Sequence, residues 1–277
     1  MSSPVTPVSV VVPTRGRPEA LARCLEALRA QTAPCELIVV DDSPQSSADV
    51  ERLAGESGAR LLRTAGAGPA AARNAGARAA SHPIVCFTDD DCLPDARWAE
   101  LLATVCPPGG AVAGETVNAR PGDPFAQASQ LATSELQRAS LDPQTESLGF
   151  APTCNLAVAA ETIRRFPFDE AFPDAAGEDR EWCARIRAAG VPLRYAPYAV
   201  VRHEQRLGIR GFVRQQIRYG RAAARLREHD ARLASGGQRL AIARAALRAG
   251  PRVALITAVG QAAVLAGFVA GRARRGR

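Results

Sequence analysis

The stretch from Val8 to Ser43, VSVVVPTRGRPEALARCLEALRAQTAPCELIVVDDS, decides the fold. Val8 to Val12 is a β-branched run closed by Pro13, and Glu36 to Val40 is a second one ending in Asp41 and Asp42. Runs without polar alternation read as parallel strands buried on both faces. Between them, Pro18 to Gln31 carries Leu21, Cys24, Leu25 and Leu28 at helical spacing. The product is a right-handed β-α-β unit.

Working outward, the pattern predicts a helix over Asp49 to Glu56, a strand over Arg60 to Arg63, a helix over Pro69 to Ala80 and a strand over Ile84 to Thr88. Such alternation implies a doubly wound α/β sheet, whose ligands bind at the carboxyl ends of the strands. Polar residues collect there: Thr14 and Arg15, Asp41 and Asp42, then Asp89, Asp90 and Asp91. Gly114 to Gly149 is poorer in strand signals and reads as a variable segment with some helix. Pro152 to Val158 reads as a strand, Glu178 to Ala189 as a helix stopped by Gly190, and Leu193 to His203 as one strand or two.

From about Gly208 the composition shifts to Arg and Ala. Val253 to Gly271 holds one strongly polar residue, Gln261, and is flanked by Arg252, Arg272, Arg274, Arg275 and Arg277. That length just suffices to cross a hydrocarbon core.

The whole chain of 277 residues is long enough for one large α/β domain plus an appendage. Its net charge of +7 comes entirely from Arg, with no Lys. No aromatic residues interleave with the basic ones, so a nucleic-acid partner is not expected. The seven Cys are scattered without any C-x-x-C pair, which fits a reducing cytoplasm and small buried apolar roles. The opening MSSPVTPVSVVVPTRGR lacks a charged n-region and a long apolar h-region, so a cytoplasmic catalytic part is expected.

Asp89, Asp90 and Asp91 repel one another, and a strand end that collects three carboxylates suits a bound cation. Hard oxygen donors point to Mg²⁺ or Mn²⁺, shared with phosphate oxygens. A solvated acidic turn capping a helix is the alternative.

Five segments occur in order: VSVVVPTRGRPEAL, VVDDS at Val39 to Ser43, GPAAARNAG at Gly68 to Gly76, FTDDDCLPD at Phe87 to Asp95, and GEDREWCARI at Gly177 to Ile186. Together they resemble the family 2 glycosyltransferases of the GT-A fold, over roughly Val8 to His203. The resemblance implies a doubly wound mixed sheet flanked by helices, in a domain of residues 1–207. Within it, about 8–100 would bind the nucleotide and about 101–207 the acceptor. Residues 208–277 would be a helical extension with a membrane-associating segment at 253–271.

The resemblance also implies roles. Pro13, Thr14 and Arg15 match the loop that touches the nucleoside, Asp42 the acid that accepts from the base, and Arg73 and Asn74 a pair near the base and diphosphate. Asp89 and Asp91 occupy the acid positions of a D-x-D motif around Asp90, with Asp91 the direct metal ligand and Asp89 nearer the ribose or metal. Glu178 and Asp179 match an acidic pair beneath the acceptor pocket, with Asp179 as catalytic base. A carboxylate at a helix N-terminus is expected to stay ionised and to accept a proton from an attacking hydroxyl. A capping pair bound to Arg180 and Arg185 is the other reading.

His203 is a possible third metal ligand or an ordinary hydrogen-bonded residue. Asn155 either lines the donor or acceptor pocket or is buried and structural. Gln215, Arg218 and Tyr219 resemble the Q-x-x-R-W motif of processive members with Tyr in place of Trp, and read as an acceptor or diphosphate contact, or as part of an amphipathic helix on a membrane.

The implied activity is metal-dependent, inverting transfer from a nucleoside-diphosphate sugar to a sugar or lipid-linked acceptor, serving cell-envelope glycan or glycolipid synthesis. The expected location is the cytoplasmic face of the plasma membrane, peripheral or single-anchored. A sugar nucleotidyltransferase is disfavoured because GRPEAL lacks the Gly-rich, basic triphosphate cradle. A non-catalytic carbohydrate-binding scaffold would have little use for intact Asp42, Asp91 and Asp179.

Overall fold

A computed structural model of the chain describes residues 6–45, 47–172, 176–229 and 236–273. Arg274, Arg275 and Arg277, expected to flank the apolar segment, lie outside the described residues. The chain divides into two units, Met1–Val117 with Leu141–His203, and Asn118–Ser140 with Glu204–Arg277. This differs from the expected boundary, because residues 118–140 group with the C-terminal helices and not with the rest of 101–207.

The first unit holds the strands β1 (Val8–Thr14), β2 (Cys35–Asp41), β3 (Arg60–Arg63), β4 (Ile84–Phe87), β5 (Cys92–Pro94), β6 (Ala111–Asn118), β7 (Leu141–Asp142), β8 (Ser147–Leu148), β9 (Leu156–Ala159) and β10 (Leu193–His203). They form one sheet in the order β3-β2-β1-β4-β9-β6-β10-β8-β7, with β5 also on β10. β1 runs parallel to β2 and β4, and β2 parallel to β3. β9 is antiparallel to β4 and β6, and β10 to β5 and β8. The sheet is therefore mixed, as expected for a GT-A fold.

Both faces of its parallel half are covered, which explains the unbroken apolar runs. Val8, Val10, Val12, Leu37 and Val39 pack beneath helices α1 (Pro18–Arg29), α2 (Ala48–Glu56) and, through Trp98 and Leu102, α4 (Trp98–Val105). Val11, Ile38, Val40, Val85 and Phe87 point the other way, towards α3 (Pro69–Ala79), α6 (Ala160–Arg165) and α7 (Glu178–Ala188). Each such side chain contributes roughly 1.5–3 kcal/mol when fully buried. α3 can lie close because Gly76 faces Val11; a Cβ there would sit 2.3 Å from Val11 Cγ1.

Two readings of the antiparallel half differ from the structure. β6 enters the segment that shows few strand signals, because small residues are needed where other backbone comes near: a Cβ on Gly114 would meet the Ala199 carbonyl oxygen at 1.9 Å. The strand expected over Pro152 to Val158 begins with a 3₁₀ turn at Thr153–Asn155, and β9 starts only at Leu156.

The second unit is helical: α5 (Pro124–Arg138), α8 (Ile209–His229), α9 (Gly236–Arg248) and α10 (Pro251–Ala273). α5 joins it through a Phe125–Phe212 ring contact at 5.7 Å and a Ser129 hydroxyl that donates to Gln215 Oε1 at 2.9 Å. α10 lies against α8 through glycines. A Cβ on Gly220 would be 2.0 Å from the Val264 oxygen, and one on Gly267 2.1 Å from the Ile217 oxygen. The opposite face of α10 is bare and apolar, with Leu255 68%, Val259 47%, Leu265 49% and Val269 59% exposed.

Candidate active site

The parallel strands end side by side, and their following loops carry the polar residues that the sequence singles out. The loop after β1 folds over the acids that follow β4. Thr14 Oγ1 donates to Asp90 Oδ2 at 2.7 Å, and Arg17 Nε donates to the same oxygen at 3.1 Å. Arg17 Nη2 also pairs with Asp90 Oδ1. Arg17 Nη1 donates to Asp91 Oδ2 at 2.7 Å, and His203 Nε2 lies 3.3 Å from Asp91 Oδ1. Asp89 faces elsewhere: Arg73 Nη2 reaches its Oδ1 at 2.8 Å, while Arg73 Nη1 reaches Glu178 Oε1 at 3.0 Å.

The three adjacent acids are thus held by two guanidinium groups and an imidazole. Arg17 is the residue that sequence reasoning passed over. Its signal was present, a second basic residue in the TRGR loop facing three acids, but only the folded loop shows which acids it meets.

These contacts pull the acids apart. Burial pushes Asp90 up, and Arg17 and Thr14 offset it only in part, leaving it at about 7. Burial also works against ionised Asp91, yet the hydrogen bond and charge of His203, with Arg17, hold it well below the usual carboxylate range. Burial likewise disfavours charged His203, but Asp91 outweighs it and raises the ring to about 9. One acid of the cluster is therefore firmly ionised while its neighbour is poised near neutrality.

Asp42 is nearly buried and ties down the loop before α3. It accepts from Thr64 Oγ1 at 2.7 Å and from the Gly66 and Gly68 amides at 3.0 Å each, with Arg15 Nη1 3.7 Å away. Gly66 and Gly68 have φ of +86° and +98°, a conformation that suits glycine. Pro13 is partly buried at the end of β1, beside the exposed Arg15 loop.

Two candidate residues are committed to the scaffold. Asn74 donates to the Phe168 oxygen and to Glu170 Oε1 at 2.9 Å each, and accepts from the Phe168 amide at 2.9 Å. Asn155 is fully buried; it accepts from the Trp98 indole at 2.8 Å and donates to the Glu115 and Ala199 carbonyls at 2.9 Å each. Of its two readings the structural one holds here. Gln215 is buried in the second unit as the acceptor for Ser129, and Arg218 and Tyr219 are half-buried on the same helix.

α7 is capped by Gly177, whose φ of +92° lets the chain turn directly into Glu178 and Asp179. Burial and the neighbouring Asp179 raise Glu178 to about 7, against the pull of Arg73. Asp179 is also raised, by burial more than the Arg180 amide at 2.7 Å can offset. Burial thus works against the ionised form that a helix N-terminus would favour. A carboxyl shifted towards neutrality is nevertheless a better proton acceptor.

The model of the family described as "Glycosyl transferase family 2" matches residues 9–162, more than half of the chain. The chain belongs to glycosyl transferase family 2. Glu178, Asp179 and His203 lie beyond the matched residues, so their place in the site rests on the geometry above.

Among curated relatives of this chain, the pre-mycofactocin glycosyltransferase of Mycobacterium tuberculosis is 33% identical over 227 residues, covering 79% of this chain and 47% of the relative. The chain thus spans about half the length of that relative. Glycosyltransferase AglE of Haloferax volcanii is 28% identical over 217 residues, covering 74% of this chain and 69% of AglE. Two solved structures share the fold. The mannosyltransferase PcManGT from Pyrobaculum calidifontis, in complex with GDP-Man and Mn²⁺, has a TM-score of 0.60 at 24% identity, covering 95% of this chain and 75% of that one. Glucosyl-3-phosphoglycerate synthase from Mycobacterium tuberculosis, in complex with Mn²⁺, UDP and glucosyl-3-phosphoglycerate, has a TM-score of 0.55 at 20% identity, covering 80% and 79%.

The raised acids make a prediction about stability. Folded Glu178 keeps its proton up to about pH 7, whereas its ordinary value is 4.5. Between those values the folded state binds more protons than the unfolded one, so stability falls as pH rises through that window. Glu178→Gln is neutral throughout and removes this contribution, leaving those of Asp90, Asp179 and His203. Denaturant midpoints measured from about pH 5 to about pH 8 should fall less steeply in the variant. Equal slopes would show Glu178 ionised in the folded chain at every pH tested.

Proposed function

We propose that this chain is a nucleotide-sugar-dependent glycosyltransferase that moves a sugar from a nucleoside diphosphate to an acceptor hydroxyl with inversion. The observation that carries the reading is the convergence of Asp89, Asp90 and Asp91 with Arg17, Arg73 and His203, with Arg73 also paired to Glu178, the neighbour of Asp179. The curated relatives bear glycosyltransferase names, and the two solved structures hold a sugar nucleotide or nucleotide with Mn²⁺.

The donor set fits Mg²⁺ or Mn²⁺. A guanidinium bridging Asp90 and Asp91 is what a carboxylate cluster recruits when it needs positive charge, and hard oxygens suit these ions. Asp91 and Asp89, with His203, would hold the ion, which when bound supplies positive charge to the diphosphate oxygens. Arg15 and Asp42 border the nucleoside side of this cluster, with Pro13 and Thr14 shaping the loop. Arg73 orients Asp89 and Glu178 at once. Asp179 takes the proton from the acceptor hydroxyl as its oxygen attacks the anomeric carbon.

Asp179→Asn keeps the side-chain shape but cannot accept that proton. The variant should bind the donor nucleotide normally in calorimetry and lose roughly 10²- to 10⁴-fold in transfer rate. A near-normal rate would reduce this acid to a helix cap.

The acceptor reading is a lipid-linked sugar at the cytoplasmic face of a membrane, in cell-envelope glycan or glycolipid synthesis. Its support is α10, a helix of 23 residues holding an 18-residue stretch of mean hydropathy 2.1, with Leu255, Val259, Leu265 and Val269 bare on one face. Arg252 near its start and Arg272 near its end suit the headgroup region, each basic residue adding about 1 kcal/mol at an anionic surface. Full-length protein should float with phosphatidylglycerol vesicles, and the double variant Leu255→Arg and Leu265→Arg should stay in the soluble fraction. Equal flotation of both would remove the membrane from the account.

A further inference from the structure

Cys92 opens β5 directly opposite His203 of β10, and Cys154 lies in the 3₁₀ turn before β9. The two sulfurs and a ring nitrogen of His203 lie within 4.8 Å of one another. Cys92 is fully buried and Cys154 nearly so, both as free thiols, while the side chain of His203 is 12% exposed. Thr116 Oγ1 stands 3.9 Å from the Cys154 sulfur, where it can support a thiolate. Cys24 and Cys86 are buried as small apolar residues of the core, a role that explains them fully. It does not explain two thiols converging on an imidazole that also faces a carboxylate.

We propose that Cys92, Cys154 and His203 form a binding site for a thiophilic divalent ion such as Zn²⁺ or Cd²⁺, and that its occupancy takes up a ring nitrogen of His203 and suppresses turnover. Thiolate and imidazole donors select such ions, whereas the neighbouring carboxylates select Mg²⁺ or Mn²⁺. Two sulfurs on a tetrahedral Zn²⁺ stand about 3.8 Å apart, within reach of small side-chain rotations from the present separation. Each thiol gives up its proton to solvent as its sulfur binds, so one divalent ion replaces two protons and the Cys pair becomes neutral with the metal. A fourth position is left for water or a carboxylate. His203 stands between a soft and a hard donor set, with Nε2 3.3 Å from Asp91 Oδ1; a ring nitrogen given to the soft ion is lost to an ion held by Asp91, while the other can still donate to a carboxylate. The binding half of this proposal is independent of the glycosyltransferase reading; the inhibitory half rests on it.

The test starts with full-length, reduced, chelator-stripped protein titrated with Cd²⁺ while thiolate-to-metal charge-transfer absorption is followed. One equivalent should saturate the band in wild type and in Cys106→Ala, and the band should be lost in Cys92→Ala and in Cys154→Ala. Persistence of the band in both of the latter variants, or no band at one equivalent, overturns the site. X-ray absorption of the Zn²⁺-loaded wild type needs no variant: two sulfur scatterers with a nitrogen support the site, and a shell of oxygen and nitrogen alone overturns it. In transfer assays at saturating Mn²⁺, one equivalent of Zn²⁺ should lower the wild-type rate at least about tenfold, and the Cys154→Ala rate hardly at all. Binding without any change in wild-type rate overturns the inhibitory half. Absence of transfer under every condition counts against the glycosyltransferase reading and leaves the absorption result standing.

Discussion

Three adjacent carboxylates at one strand end are tolerable only if positive charge faces them. In this chain Arg17 bridges Asp90 and Asp91, His203 flanks Asp91, and Arg73 takes Asp89. The pairing is costly on its own terms, since burying charge is repaid only by good geometry and full hydrogen bonding. Its effect is to set Asp91 firmly ionised beside an Asp90 poised near neutrality.

The rest of the first unit serves that arrangement. The parallel strands β1 and β4 bring the Thr14 to Arg17 loop and the three acids to the same edge, with Val11 level with Phe87. β10 returns antiparallel so that His203 stands opposite Cys92, one residue after Asp91. Arg73 on α3 reaches both Asp89 and Glu178, linking the acid cluster to the start of α7. Asn74 and Asn155 make the supports rigid by satisfying backbone groups that would otherwise be buried without partners. Asn155 also fills the space that Gly114 leaves between β6 and β10.

What the sequence revealed follows from how local each signal is. β1, α1 and β2 were legible because apolar runs and helical spacing act over a few residues, and the boundaries of β3 were matched at both ends. β6 was hidden because close packing there demands Ala and Gly, which carry no strand signal. Asp91 and Asp179 stood out through motif resemblance, but the sign of the Asp179 shift depends on burial, which no short pattern reports. Asn74 could not be told from a ligand contact, since its partners at Phe168 and Glu170 are distant in sequence. Arg17 and the Cys92, Cys154 and His203 cluster are likewise products of long-range pairing. The grouping of residues 118–140 with the C-terminal helices depends on ring and hydroxyl contacts with α8, again invisible locally.

The central proposal is that Asp91 and its neighbours form a divalent-cation site, for which an ion would compete with Arg17. Calorimetric titration of Mn²⁺ into the full chain holding a nucleoside diphosphate tests it most directly, with wild type beside Asp91→Ala and Arg17→Ala. The account predicts that Asp91→Ala abolishes binding, whereas Arg17→Ala binds at least as tightly as wild type because no guanidinium must be displaced. Mn²⁺ affinity that is unchanged in Asp91→Ala would contradict it.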